Sequence, residues 1–136
     1  MGPSRHITPN ITTDDYRRLL EVRTALRRFL HWSAEQAEAA GLTAAQHQLL
    51  LAVRGHPGDE APTIGEVANH LLPRHHGAVQ LVDRAEAAGW VARPRDEHDH
   101  RVVRVAVTRR GDQALAALAA SHLEELRRMR DAFDGL

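Results

Sequence analysis

The stretch from Arg74 to Gly111, RHHGAVQLVDRAEAAGWVARPRDEHDHRVVRVAVTRRG, constrains the fold more than any other part of the chain. Starting at Arg74 or His75 it predicts an amphipathic helix. Val79 and Val82, with Ala85 or Glu86, recur at i, i+3 and i+6 or i+7, which turns the two valines toward a core. His75, His76, Ala78 and Gln80 then point outward or lie at the exposed tip, and Gly77 and Ala78 leave room for a surface to approach closely. Gly89 is a natural left-handed stop. Trp90 to Arg93 read as a strand that Pro94 brings to an end. A charged tip, RDEHDH, leads into a second strand from Arg101 to Thr108, with Val103, Val105 and Val107 on one face and Arg104 and Ala106 on the other.

Four further helical segments support this unit, with no internal repeat and no low-complexity tract. Asp14 or Thr13 caps a helix of roughly 27 residues that ends at Gly41, its face formed by Leu19, Val22, Leu26, Phe29 and Ser33 at 3,4 spacing. Thr43 opens a capping box with Gln46, and Leu49, Leu50 and Val53 supply a buried stripe before Gly55, Pro57 and Gly58 break the pattern. Thr63 repeats the device with Glu66 and starts a short helix with Ile64, Val67, Ala68 and Leu71 inward. Pro73 disfavours helix at Leu72, so the chain turns there and restarts. Thr108 caps a last helix along which Leu115, Leu118, His122, Leu126, Met129 and Phe133 recur every three or four residues. A short helix, a turn, a second helix and a β-ribbon make a winged helix-turn-helix, which presents its second helix to a DNA groove and its ribbon to the flanking backbone. The expected fold is mainly α with a small β-wing, the winged helix-turn-helix spanning about 43–108 of a single domain over 1–136.

A chain of 136 residues, 43% of them hydrophobic, suits one domain, and with 4% aromatics its core must be built largely of Leu, Val and Ala. The absence of cysteine excludes a disulfide framework, a thiolate metal site and thiol redox sensing. No apolar run approaches the ~20 residues of a membrane span, and the start MGPSRHITPN lacks the apolar core of a secretory signal. A soluble, cytoplasmic protein with no membrane partner is the expectation. Formal charge is zero, which argues against a nucleic-acid binder until the distribution is read. Residues 74–110 carry eight Arg against five acids, whereas 42–73 and 111–136 are each acidic by two charges. The basic residues are all Arg, whose planar fork suits phosphate or guanine, although the codon bias of a GC-rich genome is the better account of that choice.

Three pieces together resemble the MarR family of bacterial winged-helix regulators over about residues 16 to 130. They are LTAAQHQLLLAV, TIGEVANHLLPRHHGAVQLVDRAEAAGWVARP, and DEHDHR followed by VAVTRRG. The LVDR join to a small-Gly-aromatic-Val-x-Arg run, the Asp99-x-Arg101 wing and Thr108-x-x-Gly111 make the composite specific. The resemblance implies a homodimer whose first and last helices, about 12–41 and 109–134, interlock. It implies two recognition helices about one DNA turn apart, repression by occluding promoters, and often release of operator DNA by a small ligand. Two departures stand out. Where the family usually places Ser or Thr at the start of the recognition helix, this chain has Arg74-His75-His76-Gly77-Ala78. Where two consecutive basic residues are common in the wing, it has Asp99-His100-Arg101, so one wing contact depends on His100 protonation and binding becomes somewhat pH sensitive.

The DNA contact set is Arg74, His75, His76, Gly77, Ala78, Gln80, Arg84, Arg95, Asp99, His100 and Arg101. Gln80 suits a bidentate contact to adenine and Ala78 a thymine methyl, though a solvent-facing Gln is ordinary on any helix. Arg74, His75 and His76 sit at a helix start, where backbone N–H groups attract phosphate. Arg101 reaches the minor groove or its phosphates, or pairs with Asp99 or Asp96. Arg84 either meets DNA or forms a surface ion pair with Asp83.

A ligand pocket, if the family's is retained, lies near His31, Trp32, His47 and Arg54, where a small aromatic acid would suit the ring and the cations; ordinary packing is the competing account. The missing thiol removes peroxide sensing. Ten histidines raise the alternative of a metal-responsive DNA-binding regulator with histidine ligands. His98-Asp99-His100 would give two ligands and His75-His76 or His70 others; against this, adjacent or i, i+2 histidines do not share a helix face, and no H-E-x-x-H motif or Cys pair is present. No metal or cofactor is expected. No G-x-S-x-G elbow, phosphate loop or nucleotide-binding glycine pattern occurs, which argues against an enzyme. The C-terminal Leu stripe fits a dimer interface better than a separate protein-binding module.

Overall fold

The computed structural model describes residues 9–71, 75–134 and 136, and of His75 and His76 the backbone only. Among these residues lie five helices and one two-stranded sheet: α1 Thr13–Ala39, α2 Ala44–Arg54, α3 Ile64–His70, α4 His75–Ala87, β1 Val91–Ala92, β2 Ala106–Val107 and α5 Arg109–Phe133. No described helix is long and apolar enough to cross a membrane. The expected turn at Leu72 and Pro73, and Arg74 after it, lie outside the described residues.

Side-chain caps account for where the helices start. Thr43 and Thr63 both form the expected reciprocal boxes, with Gln46 and Glu66, and the Thr108 hydroxyl accepts from the Gly111 N–H at the head of α5. At α1 the cap is Thr12, one residue before the expected Thr13 and two before Asp14. Its hydroxyl accepts from Asp15 N–H at 3.1 Å while the Asp15 carboxylate accepts from Thr12 N–H at 2.9 Å. Gly89 ends α4 with φ +84°, so that Trp90 N–H reaches back to the Ala85 carbonyl at 2.9 Å.

Helix α2 is central, packed against α1, α3, α4, α5 and β2. Its Leu49, Leu50 and Val53 meet Val67 of α3, Val82 and Ala85 of α4, Val91 and Val105 of the wing, and Leu115 and Leu118 of α5 in one core. Each fully buried Leu or Val contributes about 1.5–3 kcal/mol relative to exposure. The α4 register differs from expectation. Ala78, Val82 and Ala85, at i, i+4 and i+7, are completely buried, while Val79 is half-buried.

The wing is shorter in regular pairing than expected. Val91 pairs with Val107 and Ala92 with Ala106. Beyond Pro94 the two arms meet again at Arg95 and Val103, and Arg104 bridges to Thr63, just before α3. Val105 N–H donates to the Pro62 carbonyl at 2.8 Å. The second arm therefore leaves its hairpin partner to pair with the segment that leads into α3, which anchors the wing to the helix-turn-helix.

Candidate nucleic-acid interface

Burial of Ala78, Val82 and Ala85 fixes which face of α4 is exposed. Gln80, Asp83, Arg84 and Ala87 are exposed at i, i+3, i+4 and i+7, one continuous stripe. Ala78 is thus corrected as a base contact: its methyl lies in the core, because the inward stripe runs one residue earlier than the valines suggested. Gly77 is half-buried near the start of the helix, Gln80 is on the open face, and Arg74 with the side chains of His75 and His76 lies outside the described residues.

The acids of this face are engaged by a residue that sequence reasoning had not singled out. Arg93, at the root of the wing, pairs with Asp83 at 2.7 Å and Glu86 at 2.9 Å. The Arg93 hydrogen bonds hold the Glu86 carboxyl below the usual range. Of the two alternatives for Arg84, the ion pair with Asp83 is not formed, since Asp83 pairs with Arg93 instead. Among the described residues Arg84 has neither an ion pair nor a hydrogen bond through its side chain, which leaves its guanidinium available.

At the wing tip, Asp96 accepts from the N–H groups of His98 and Asp99 and from Arg104 Nε at 3.0 Å. Arg104 also bonds the Ala61 carbonyl at 2.7 Å and Glu60 at 2.7 Å. These contacts lower the Asp96 pKa, the Arg104 hydrogen bond first among them. Arg95 donates to the His100 carbonyl at 2.6 Å, closing the tip. Arg101 is 91% exposed and is gripped by Asp99, whose Oδ1 accepts from both its N–H and its Nε. The Arg101 side chain is the main cause of the lowered Asp99 pKa. His100 is exposed between them. The tip thus presents the Arg101 guanidinium on a hydrogen-bonded turn, a group suited to phosphate or a narrow groove.

The four ligand-pocket candidates are not brought together. Trp32 and His47 each pack on His122 of α5 with ring centroids 4.8 Å apart, and Phe29 completes the group. His122 donates from Nδ1 to the Leu118 carbonyl at 2.7 Å and meets the Ser33 hydroxyl through Nε2 at 2.7 Å. Burial, and then the neighbouring His122, push the His47 pKa down. His31 instead pairs with Glu35 at 3.3 Å on the outer side of α1, and Arg54 with Asp112 at 3.1 Å. Arg54 lines a different groove from His31 and Trp32. Among the described residues no three His, Asp or Glu side chains converge as a metal cage.

The MarR family model matches residues 40–102. Comparison with curated proteins finds no significant match. Among solved structures, the chain is similar to a MarR family protein from Bacillus stearothermophilus at 24% identity and a TM-score of 0.71, covering 92% of this chain and 86% of that one. It is similar to BpsR of Bordetella bronchiseptica, whose DNA binding is regulated by 6-hydroxynicotinic acid, at 23% identity, TM-score 0.62, and coverage of 99% and 86%. It is also similar to S. aureus MepR in a complex with DNA, at 17% identity, TM-score 0.69, and coverage of 93% and 88%.

Proposed function

The chain belongs to the MarR family, a family of winged-helix transcription regulators, and from that premise we propose that it is a sequence-specific, double-stranded DNA-binding repressor that works in the cytoplasm as a homodimer. The observation that carries this reading is the open α4 stripe of Gln80 and Arg84 beside a wing that extends Arg101. Gln80 reads a base edge in the major groove, Arg84 and the start of α4 hold phosphates, and Arg101 enters the adjacent minor groove. MepR, a structural relative, is seen bound to DNA.

The reading includes a small aromatic effector, since BpsR answers to one. Trp32, His47 and His122, at the meeting of α1, α2 and α5, form the aromatic seat for it. Arg27, Arg28 and His31 line the groove beside Trp32 and offer the polar side of that seat, whereas Arg54 is committed to Asp112.

The test is selection of bound duplexes from a random pool, followed by quantitative binding of the selected site. Gln80→Ala should relax preference at one base step and leave the salt dependence unchanged. Arg101→Ala should weaken binding to all sequences and lower the slope of log K against log salt by about 1. Selection that enriches no sequence, or two variants that bind like the parent, would overturn the contact assignment.

A further inference from the structure

We propose that His56, His70 and Glu66 form an acid-sensitive latch across α3, closed while at most one of the two imidazoles is charged and open when both are. The latch rests on the DNA-binding reading only for its consequence, not for its existence.

His56 lies in the loop between α2 and α3, its side chain 12% exposed. Its Nε2 is 3.1 Å from Glu66 Oε2, and its Nδ1 is 3.0 Å from His70 Nε2, with the rings at 75°. Glu66 stands in the first turn of α3 and His70 in the last, four residues apart and so on one face. A single imidazole therefore spans both ends of the helix. The other carboxylate oxygen of Glu66 accepts from Thr63 N–H at 3.1 Å, so loop, cap and helix end share one chain of hydrogen bonds.

The position matters because α3 has seven residues, too few for a helix to persist without tertiary support. Val67 is its one fully buried side chain among those described. Helix α3 packs directly on α4, so its order sets the seat of the helix that carries Gln80 and Arg84.

Proton counting gives the switch its sense. A carboxylate only accepts, so His56 keeps a proton on Nε2. The contact between the two rings then needs one proton. Neutral His56 accepts from His70, or charged His56 donates to a neutral His70. Two charged rings would set N–H against N–H at a 3.0 Å separation and add cation repulsion. The geometry therefore tolerates one charged ring, and charging both opens the latch.

Among the described residues, one carboxylate is bonded to the imidazole pair. Glu66 is the carboxylate in contact. It is held below the usual range, chiefly by the Thr63 backbone N–H and also by His56 and Arg104, so it stays charged while histidines titrate. Asp59, Glu60, Arg54, Arg109 and Asp112 line the groove beside His56. Of these, Glu60 is committed to Arg104, and Arg54 to Asp112. Around His70, Gln48, Leu51, Ala52, Gly55 and Leu71 bring no charge.

The test is amide hydrogen exchange of α3 in the full-length protein at pH 7.5 and pH 5, corrected for intrinsic rates, in the parent and in His70→Gln. Gln keeps a donor for His56 Nδ1 and cannot take a second charge. Protection of the α3 amides should fall about tenfold on acidification in the parent, as expected for one lost charge-assisted contact, and less than about twofold in His70→Gln. His56→Phe, which keeps a ring and removes both hydrogen bonds, should show the low protection at both pH values. Equal pH profiles in parent and His70→Gln would overturn the latch, as would full α3 protection in His56→Phe. Binding of a duplex selected at pH 7.5 is measured in parallel, and affinity that falls with α3 protection supports the coupling. A protein whose protection follows this pattern, yet which binds no duplex at either pH, retains the latch and overturns the DNA-binding reading.

Discussion

Gly111 stands in the first turn of α5 under the Trp90 backbone, and its lack of a side chain is what lets the helix start there. A methyl group would overlap the Trp90 carbonyl oxygen and press on Val107 Cγ1, neither of which is a flexible chain end. Gly111→Ala should therefore destabilise the protein by about 1–3 kcal/mol, read as a lower urea midpoint with an unchanged m-value. The Thr108-x-x-Gly111 spacing was visible in the sequence, but its reason, a close approach to a backbone 21 residues away, was not. His47 has a similar history: it stood out as a polar ring among aliphatic positions, yet its neighbour His122 comes from the far end of the chain. Because burial lowers the His47 pKa, the unfolded chain binds that proton more readily than the folded one. Its contribution to stability is complete above the ordinary imidazole value of about 6.5 and is lost as pH falls toward the lowered folded value. Urea midpoints at pH 7.5 and 5 should drop less in His47→Gln than in the parent; parallel profiles would refute this assignment.

At the scale of elements, the wing depends on Arg104 more than on its ladder. Two residue pairs of regular sheet cannot hold the hairpin by themselves, and Arg104 ties it to the Ala61 carbonyl, Glu60 and Asp96 at once. Arg104→Ala should let the tip open, seen as faster limited proteolysis between residues 95 and 103, with weaker DNA binding at unchanged sequence preference. A tip that resists protease as well as the parent does would show that the ladder suffices. Local signals served well here for helix starts, since each Thr box lies within four residues. The α4 register was harder, because two flanking apolar positions, Ala78 and Val79, compete for the inward direction and tertiary packing chose the smaller. Pairing of Arg104 with Thr63 spans 41 positions, and no periodicity encodes it.

For the whole molecule, the telling surface is apolar. Leu19, Leu20, Leu26 and Leu30 of α1 and Leu123 and Leu126 of α5 are 44–64% exposed, although α1 and α5 pack directly on each other. The spacing of the α1 face was legible in the sequence, and its inner part, Phe29 and Ser33, does meet α5. Under the proposed homodimer, a second copy would cover the outer part. Leu26→Glu combined with Leu126→Glu should give a monomer by sedimentation velocity, folded by circular dichroism and weakened on operator DNA. A double variant that still sediments as a dimer would move the interface elsewhere.

The grip of Asp99 on Arg101 carries a last implication. A long side chain ordinarily surrenders about 2 kcal/mol of rotational freedom when a partner immobilises it. Here the Asp99 contact already favours one arrangement of Arg101 in the unbound protein, at a tip closed by Arg95 and Asp96, so part of that cost is met before binding. A finger biased in this way meets a duplex partly pre-arranged, closer to a key entering a lock than to a tether finding a hook.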